Sequence, residues 1–474
     1  MEAQFARIVA MSVGLTNDVN VVLLELTVCE YGGSRYGAAF AEGHLIYKGL
    51  SQDRSHSTNP EVTQQVNTNS SLKPKEELNS QNISKLIHNF KVAGITLAME
   101  LPSARGTLFC VLLFVSSLLG SIFILMPFAP LVYIAPRLWR FCADRFVGYW
   151  LTFPASLCDF IFGVQFHVSG DLIERGAPAL IIMNHRTRLD WLFFWNALYK
   201  MDPWLLITEK ISLKAPLKLI PGAGWAMGCG AYMFLERNLE NDMHVMDTMI
   251  TYYSYTNQNY QLLLFPEGTD RGARAAFLSD IYAEKNSLPK YKYVLHPRTA
   301  GFIHLLQLMR RRKYIRYVYD VTVGYPNGMV NSEMELLMKG RFPKEVHFDI
   351  KRYDISEVPL DEADAAAWLN KLWREKERRL EHFYTTNEPF APSGARLLWP
   401  VETKGIGYYC AFLFWIISSC IWIYFTYTMF LVKVYVVLSC LFYVFCQKRY
   451  GGFENFAVEV MQRRYGIAIK GTHY

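Results

Sequence analysis

Two long apolar stretches interrupt the chain, and the first is long enough to cross a bilayer. Residues 107–136 carry no charged side chain, with Arg105 before them and Arg137 after them. A helix rises about 1.5 Å per residue, so such a run can span the roughly 30 Å of hydrocarbon in a bilayer. Pro127 and Pro130 lie near its end and predict a kink or a stop there. The pattern therefore predicts an N-terminal membrane helix.

The second apolar stretch, residues 406–446, holds one charged residue, Lys433. Basic residues flank it on both sides, with Lys404 before it and Lys448 after it. Because basic flanks favour the cytosolic side, the stretch predicts a membrane hairpin with both ends in the cytosol. The second limb, counted from Lys433, is short for a full crossing. The aromatic segment 150–166 contains a proline and an aspartate, and we expect it to lie along the membrane interface.

Between these stretches, short apolar runs alternate with longer segments of mixed polarity. Nearly continuous apolar runs are typical of strands covered on both faces, and the intervening segments are long enough for helices. We therefore predict an α/β fold, with a mixed sheet covered by helices and with N-terminal and C-terminal membrane-embedded helices. A surface helix is predicted over residues 361–383. The predicted strands are Ala179–Met183, Leu205–Thr208, Ala231–Leu235, Gln261–Phe265 and Val318–Val323.

The same pattern divides the chain into five regions. Aromatic residues almost vanish from the polar region after residue 50, which is typical of a solvated, disordered linker. The predicted regions are an unassigned segment 1–50, a linker 51–92, a membrane anchor with interfacial helices 93–166, a catalytic domain 167–385, and a membrane hairpin with a tail 386–474.

Composition narrows the classes of protein that fit. Apolar residues make up 51% of the 474 positions and charged residues 19%, which excludes global disorder. The formal net charge of +7 suits a phosphate-bearing partner or an anionic bilayer, but it is too small to indicate a nucleic acid partner. The nine cysteines contain no Cys-x-x-Cys pair, which excludes a zinc-finger pattern and a secreted disulfide framework.

The strongest chemical signal follows the predicted strand Ala179–Met183. His185 emerges where parallel strands end, which is the edge at which open α/β sheets bind ligands. If a helix begins just after His185, Asp190 returns about one turn later and can meet the imidazole. Such a pair predicts a general base whose partner fixes its tautomer. The alternative is a core histidine with an aspartate that caps a helix.

A second candidate is the turn that follows Gln261–Phe265. Pro266 and Gly268 predict a tight bend, which presents Glu267 and Arg271 at the same sheet edge as His185. The alternative is an ordinary acidic turn.

Other basic residues are candidates for phosphate contacts. Arg237 ends the segment Gly230–Arg237 at another predicted strand end, and a guanidinium suits bidentate phosphate binding. Lys210, Lys214 and Lys218 recur every four residues, which predicts one helix face and candidate contacts to CoA or phosphate. A solvated face is the alternative for these lysines. The segment from Val294 to Phe302 predicts a rigid loop before a helix, with a plain structural turn as its alternative.

Taken in their order along the chain, these four segments resemble the motifs of the glycerolipid acyltransferase family, typified by lysophosphatidic acid acyltransferase. Its Asn-His-x-x-x-x-Asp motif matches Asn184–Asp190, and its Phe-Pro-Glu-Gly-Thr motif matches Phe265–Thr269. Its arginine-containing motif matches Gly230–Arg237, and its proline motif matches His296–Pro297. Within this family, the chain most resembles the lysocardiolipin acyltransferase branch, over about residues 105–465. The segments that carry this resemblance are Asn184–Trp191, Ala283–Asn286, Tyr293–Thr299 and Gly451-Gly452 after the second apolar stretch.

The resemblance implies acyl transfer from acyl-CoA to a free hydroxyl of lysocardiolipin, lysophosphatidylinositol or lysophosphatidylglycerol. It implies an endoplasmic reticulum membrane protein whose active site faces the cytosol, with acyl-CoA as co-substrate and neither cofactor nor metal. By position, His185 is the general base and Asp190 its partner. The implied substrate-binding residues are Arg237, Glu267, Gly268, Thr269 and Arg271. One departure is Asp270, where many relatives have arginine, and it favours an acceptor other than lysophosphatidic acid.

Four alternatives stay open at this point. The chain can be a 1-acylglycerol-3-phosphate acyltransferase that makes phosphatidic acid, an acyl-CoA thioesterase, or a non-catalytic membrane scaffold. A metal-dependent hydrolase would use His185, Asp190 and Glu267 as ligands, but these residues lack a second histidine at metal-ligand spacing. No serine or cysteine adjoins His185, so we expect direct transfer without an acyl-enzyme.

Overall fold

The computed structural model describes residues 101–386, 388, 390 and 405–466. The predicted N-terminal segment and linker, residues 1–92, lie outside the described residues. Helix α1 (Ala104–Gly120) continues through a π-helical turn (Ser121–Leu125) and a 3-10 turn (Met126–Phe128). The combined helix Ala104–Phe128 has a mean hydropathy of 2.7 over its most apolar window. Its end at the prolines confirms the predicted break, because Pro127 supplies no backbone donor.

After the short helix α2 (Leu131–Ile134), helix α3 (Pro136–Phe162) leads into the sheet. Residues 151–158 of α3 are all buried in the described structure. The prediction that segment 150–166 lies along the membrane interface is therefore wrong for this part of the helix. Its apolar side chains pack against protein, which a sequence pattern alone does not distinguish from packing against lipid.

Seven strands form one mixed sheet, as predicted. The strands are β1 (Gln165–Gly170), β2 (Ala179–Met183), β3 (Glu209–Lys214), β4 (Met233–Leu235), β5 (Gln261–Leu264), β6 (Tyr317–Gly324) and β7 (Glu345–Asp354). Their order is β1-β7-β6-β2-β5-β3-β4. All neighbouring pairs are parallel except β6 and β7. The central strands β2, β5 and β6 therefore end at one edge.

Helices cover both faces of this sheet. They are α4 (Asp190–Met201), α5 (Leu205–Thr208), α6 (Ala223–Cys229), α7 (Leu239–Tyr255), α8 (Ala273–Lys285), α9 (Thr299–Arg311), α10 (Glu333–Lys339) and α11 (Glu362–Thr386). Strand β2 shows the layering, since Ile181 and Met183 pack with α3 and α4 while Leu180 and Ile182 pack with α7, α9 and α11. A strand buried on both faces explains its uninterrupted apolar sequence.

Local assignments differ from prediction in the β3 region. Residues Leu205–Thr208, predicted as a strand, form the short helix α5, and the strand follows at Glu209–Lys214. Lys210 and Lys214 lie on β3 and Lys218 lies in a 3-10 turn (Ala215–Leu219), so the predicted shared helix face is wrong. A spacing of four is also compatible with a strand, where it places side chains on one face.

The C-terminal apolar stretch forms two helices, α12 (Ile406–Thr428) and α13 (Phe430–Tyr450), followed by α14 (Phe453–Tyr465). Helix α13 begins three residues before Lys433 and has 21 residues, so its limb is longer than the count from Lys433 implied. Together with Ala104–Phe128, these helices are long and apolar enough to cross a membrane. The predicted membrane-embedded helices at both ends of the catalytic domain are confirmed in this sense.

Candidate active site

His185 lies directly beyond strand β2, at the edge where β2, β5 and β6 end. The preceding residue, Asn184, is fully buried and bridges to β6. Its side-chain amide donates to the Val323 carbonyl at 3.1 Å, and its oxygen accepts from the Val323 amide at 2.9 Å. These two bonds attach the start of the loop to the sheet, which determines where the imidazole emerges.

The imidazole of His185 meets the carboxylate of Asp190, as predicted. The Nδ1 atom of His185 lies 2.9 Å from Oδ2 of Asp190, and the two side chains are 13% and 0% exposed. Helix α4 begins at Asp190 itself, later than predicted, and the contact arises through the turn that precedes the helix. The pair leaves the Nε2 atom of the ring for a substrate hydroxyl.

Two further groups orient the carboxylate of Asp190. The Thr187 backbone amide donates to its Oδ2 at 3.1 Å, and the Tyr325 hydroxyl donates to its Oδ1. Three hydrogen bonds hold this buried carboxylate in a single orientation. Asp190 can therefore orient the imidazole, and its charge would stabilise an imidazolium if His185 accepted a proton.

The turn after β5 packs against the histidine ring. Phe265 stacks on the imidazole of His185 with ring centroids 4.2 Å apart. The Arg271 amide donates to the His185 carbonyl at 2.9 Å, so both ends of the turn contact the histidine segment. Gly268 has a φ of +73° and donates to the Phe265 carbonyl at 2.9 Å, which is the tight bend that the sequence predicts.

Glu267 lies behind this turn and not at its surface. Its residue is 2% exposed, and the indole Nε1 of Trp373 donates to its Oε1 at 3.1 Å. Burial raises the pKa of Glu267 to about 8, although hydrogen bonds from Trp373 and from backbone amides act in the opposite direction. The predicted contact between the Glu267 side chain and substrate therefore disagrees with the structure, which makes Glu267 a residue that positions the turn.

Arg237 converges on the same turn from the end of β4. Its Nη2 donates to the Gly268 carbonyl at 3.1 Å, and its backbone has a φ of +67°. Asp242 stabilises this unusual conformation by accepting hydrogen bonds from the backbone amides of Glu236 and Arg237 at 2.7 and 3.0 Å. The side chain of Arg237 is exposed, so its guanidinium is available to a phosphate.

More basic groups surround this position. Lys214 is half-buried, and its pKa is lowered by burial first and then by the positive charges of Arg237 and Arg188. Arg188 lies 3.6 Å from the carboxylate of Asp270, whose Oδ1 is 3.5 Å from the Thr269 hydroxyl. The predicted substrate-binding residues Arg237, Gly268, Thr269 and Arg271 are thus brought together with Lys214 beside the catalytic pair.

Lys210 is not part of this basic group. Its side chain is 2% exposed and its Nζ lies 2.7 Å from Oδ1 of Asp144 on α3. Arg140 and the Tyr260 hydroxyl complete the surroundings of that carboxylate, at 2.7 and 2.6 Å. The candidate contact of Lys210 to CoA is therefore wrong, because the ammonium is sealed in an internal ion-pair network. Lys218 lies near Glu454 on α14. Burial raises the pKa of Glu454, and the positive charge of Lys218 acts in the opposite direction.

The loop that carries His296 is a structural turn, which is the alternative given for it in the sequence. The Ser279 hydroxyl lies 2.8 Å from its Nδ1, and its Nε2 lies 3.1 Å from the Pro289 carbonyl. Nδ1 ties the loop to α8 and Nε2 ties it to the segment that follows α8, and helix α9 begins at Thr299 as predicted.

Sequence reasoning missed several residues of the site, including Tyr325, Trp373 and Thr187. Tyr325 follows strand β6, so the rule that placed His185 at the sheet edge applies equally to it. Trp373 lies on α11, 106 residues from its partner Glu267, and no local signal connects the two.

Comparison with known proteins identifies related acyltransferases. A family model described as Acyltransferase matches residues 165–326, and one described as Acyltransferase C-terminus matches residues 336–406. The chain is 42% identical to lysophosphatidylinositol acyltransferase 10 of Caenorhabditis elegans over 339 residues, which are 68% of this chain and 84% of the relative.

The chain belongs to this acyltransferase family. It is also 40% identical to lysocardiolipin acyltransferase 1 of Gallus gallus, across 74% of this chain and 93% of the relative. A more distant relative, a probable 1-acyl-sn-glycerol-3-phosphate acyltransferase 5 of Arabidopsis thaliana, is 31% identical across 64% of this chain and 78% of its own length. The matched Acyltransferase region contains the His185–Asp190 pair, the Glu267 turn and Arg237.

Proposed function

We propose that this acyltransferase moves an acyl group from acyl-CoA to a free hydroxyl of a lysophospholipid. The observation that carries the proposal is the pair of His185 and buried Asp190, 2.9 Å apart, beside a turn that basic side chains surround. The names of the relatives from Caenorhabditis elegans and Gallus gallus support a lysophospholipid as the acceptor.

In the proposed reaction, Nε2 of His185 removes the proton from the acceptor hydroxyl as its oxygen attacks the thioester carbonyl. The new ester bond forms as the carbon–sulfur bond breaks, and the imidazolium returns its proton to the departing CoA thiolate. Asp190 stays ionised throughout and stabilises the positive imidazolium. General base catalysis of this kind contributes about 10²–10⁴-fold in rate.

Direct transfer is the simplest course for this site. The segments Asn184–Asp190 and Phe265–Arg271 contain neither serine nor cysteine, and their only hydroxyls belong to Thr187 and Thr269. The Thr187 hydroxyl is buried and donates to the Val330 carbonyl. The Thr269 hydroxyl lies 3.5 Å from the carboxylate of Asp270. A nucleophile activated by a neighbouring base is the mark of an acyl-enzyme mechanism, and these two segments supply none beside the histidine.

Both acyl-CoA and the lysophospholipid acceptor carry phosphate groups, which the basic side chains around His185 and Asp190 can bind. Arg237 is exposed and bonded to the Gly268 carbonyl, which places its guanidinium over the turn for the acceptor phosphate. Arg271 adjoins His185 through its backbone, and Lys214 supplies another positive charge nearby. These positive groups can neutralise phosphate charge on the substrates.

Asp270 bears on the identity of the acceptor. Its carboxylate lies 3.6 Å from Nε of Arg188, so one negative charge already occupies part of the basic surface. A phosphate monoester carries up to two negative charges on one phosphate group, so that group is repelled more strongly there than a single phosphodiester group, which carries one. The proposed acceptors are therefore lysocardiolipin, lysophosphatidylinositol and lysophosphatidylglycerol, in preference to lysophosphatidic acid.

The proposal includes a location in the endoplasmic reticulum membrane, with the catalytic pair on the cytosolic side. Three helices long and apolar enough to cross a membrane support attachment to a bilayer. The basic residues beyond the apolar stretches, such as Arg137 and Lys448, support the cytosolic side.

A lysolipid panel tests this function. The full chain, purified in detergent, is incubated with acyl-CoA and each lysolipid, and both CoA release and the acylated product are measured. We expect product with the phosphodiester lysolipids and loss of turnover in His185→Ala. The matched control, His304→Ala, removes a histidine that pairs with Asp247 at 3.3 Å outside the site. Turnover retained by His185→Ala, or CoA release that needs no lysolipid, would refute the proposal.

A further inference from the structure

Three metal-ligating side chains meet on strands β1 and β7, outside the catalytic site. His167 on β1 and His347 on β7 are direct partners in the parallel register of these strands. Their rings stack with centroids 4.3 Å apart and planes inclined by 22°. Glu345 lies two residues before His347, so the alternation of a strand places both side chains on the same face of the sheet.

The ligand atoms of these residues converge. Oε2 of Glu345 lies 3.3 Å from Nε2 of His347 and 3.8 Å from Nε2 of His167. One ligand atom from each residue lies within 4.8 Å of the other two. A tetrahedral ion with bonds of about 2.0 Å holds its ligands about 3.3 Å apart, so small side-chain rotations suffice for coordination.

One of these nitrogens has no hydrogen-bond partner among the described residues. The Nε2 atom of His167 is buried but lacks a hydrogen bond, although its side chain as a whole is 35% exposed. The nearby Lys200 opposes a cation, but its ammonium is held by the Phe166 carbonyl at 2.9 Å.

We propose that His167, Glu345 and His347 form a binding site for a transition-metal ion of the zinc class. Two imidazole nitrogens and one carboxylate oxygen are the donor set that Zn²⁺ accepts with three protein ligands. Glu345 and His167 are partly exposed, which leaves an entry path and a fourth position for water. Phe383 packs against the ring of His347 and restricts its rotation.

A bound ion would link the edge strand β1 to β7. His347 also pairs with Gly324 at the end of β6, the residue before Tyr325, whose hydroxyl bonds to Asp190. The site therefore lies at the same end of the sheet as the catalytic pair, but it shares no side chain with that pair. Metal binding is a property separate from acyl transfer. Its consequence is a stronger connection between β1 and β7 at one edge of the sheet.

The test uses the full chain, purified in detergent without a histidine tag and stripped of metal. Zn²⁺ affinity is measured by competition with a chromogenic chelator, and Co²⁺ binding by its visible absorption. We expect one ion per chain, a Co²⁺ spectrum of tetrahedral type, and a higher melting temperature with Zn²⁺. His167→Ala and Glu345→Gln should weaken binding at least about 10–100-fold, the loss seen when even a supporting group of a metal site is removed.

His304→Ala is the matched control, because among the described residues His304 and Asp247 are not joined by a third metal-ligating side chain, and this variant should bind Zn²⁺ like the wild type. Acyl transfer by all these variants reports that they are folded. Zn²⁺ affinity that is unchanged in both His167→Ala and Glu345→Gln would overturn the proposal, as would failure of the wild type to bind Co²⁺ or Zn²⁺.

Discussion

Replacing Asp190 by asparagine tests the catalytic pair with a minimal change of shape. The carboxylate accepts hydrogen bonds from Nδ1 of His185 at 2.9 Å, from the Thr187 amide at 3.1 Å and from the Tyr325 hydroxyl. Asparagine offers one oxygen and one amino group in the same space, so it cannot accept from all three donors. It also removes the negative charge that stabilises the imidazolium of His185.

The size of the effect follows from these contacts. A hydrogen bond to a charged group contributes about 1.5–3 kcal/mol, which is about 10–150-fold in rate when it acts in the transition state. The ceiling is the whole contribution of the general base, about 10²–10⁴-fold. We therefore expect Asp190→Asn to lower kcat by about 10²-fold. The KM for acyl-CoA should change little, because Asp190 is fully buried.

The assay measures CoA release coupled to a lysophospholipid acceptor, with thermal unfolding recorded on the same samples. Asp202→Asn is the matched control, since Asp202 caps the other end of α4 and pairs with Arg175 at 3.4 Å on the surface. It should keep the kcat of the wild type. A kcat of Asp190→Asn within about threefold of the wild type, in a folded protein, would refute the assigned role of the pair.

Three further predictions concern residues around the pair. Arg237→Ala should raise the KM for the acceptor more than it lowers kcat, because its guanidinium is exposed over the turn. Lys210→Met should lower the free energy of unfolding by about 1.5–3 kcal/mol, the contribution of one hydrogen bond to a charged group, because Arg140 still pairs with Asp144. The KM for acyl-CoA should not change, because the Lys210 side chain is buried. For Glu267, burial raises the pKa from its ordinary value of 4.5 to about 8, so the folded state binds a proton that the unfolded state has lost between these values. Wild-type stability should therefore fall relative to Glu267→Gln as the pH rises from about 4.5 to 8, by at most about 1.4 kcal/mol per pH unit.

Each of these outcomes has a clear opposite. An unchanged acceptor KM in Arg237→Ala would remove that side chain from the phosphate site. A raised KM for acyl-CoA with unaltered stability in Lys210→Met would restore the CoA contact that the sequence suggested. A difference in stability between wild type and Glu267→Gln that stays constant with pH would show that the buried carboxyl does not titrate as its surroundings imply.

Much of the fold and of the catalytic pair could be predicted from local pattern. Strand β2 is a continuous apolar run, so its position and the emergence of His185 at its end follow from the sequence. Asp190 is five residues away, and a contact over so short a separation depends on one turn of chain. The strands β1, β3 and β7 were not predicted, because their mixed sequences gain their burial from neighbouring strands and helices.

Whether a charged side chain is buried or exposed could not be predicted from local pattern. Lys210 meets Asp144 across 66 residues, and Glu267 meets Trp373 across 106. Whether a lysine or a glutamate faces solvent or is sealed inside depends on partners that the sequence places far away. Three lysines spaced four residues apart, or an acidic residue in a turn, are compatible with both an exposed and a buried side chain.

The amino-acid order alone thus settles the apolar membrane helices, the central strands and the residues that emerge at their ends, because these depend on contacts over a few residues. Packing of distant elements decides which of the emerging side chains remain accessible. Arg237 stays exposed because Asp242 and Gly268 hold its backbone and guanidinium at the surface, whereas Lys210 and Glu267 are withdrawn by partners on α3 and α11. Burial is a property of the assembled layers, and no short segment encodes it.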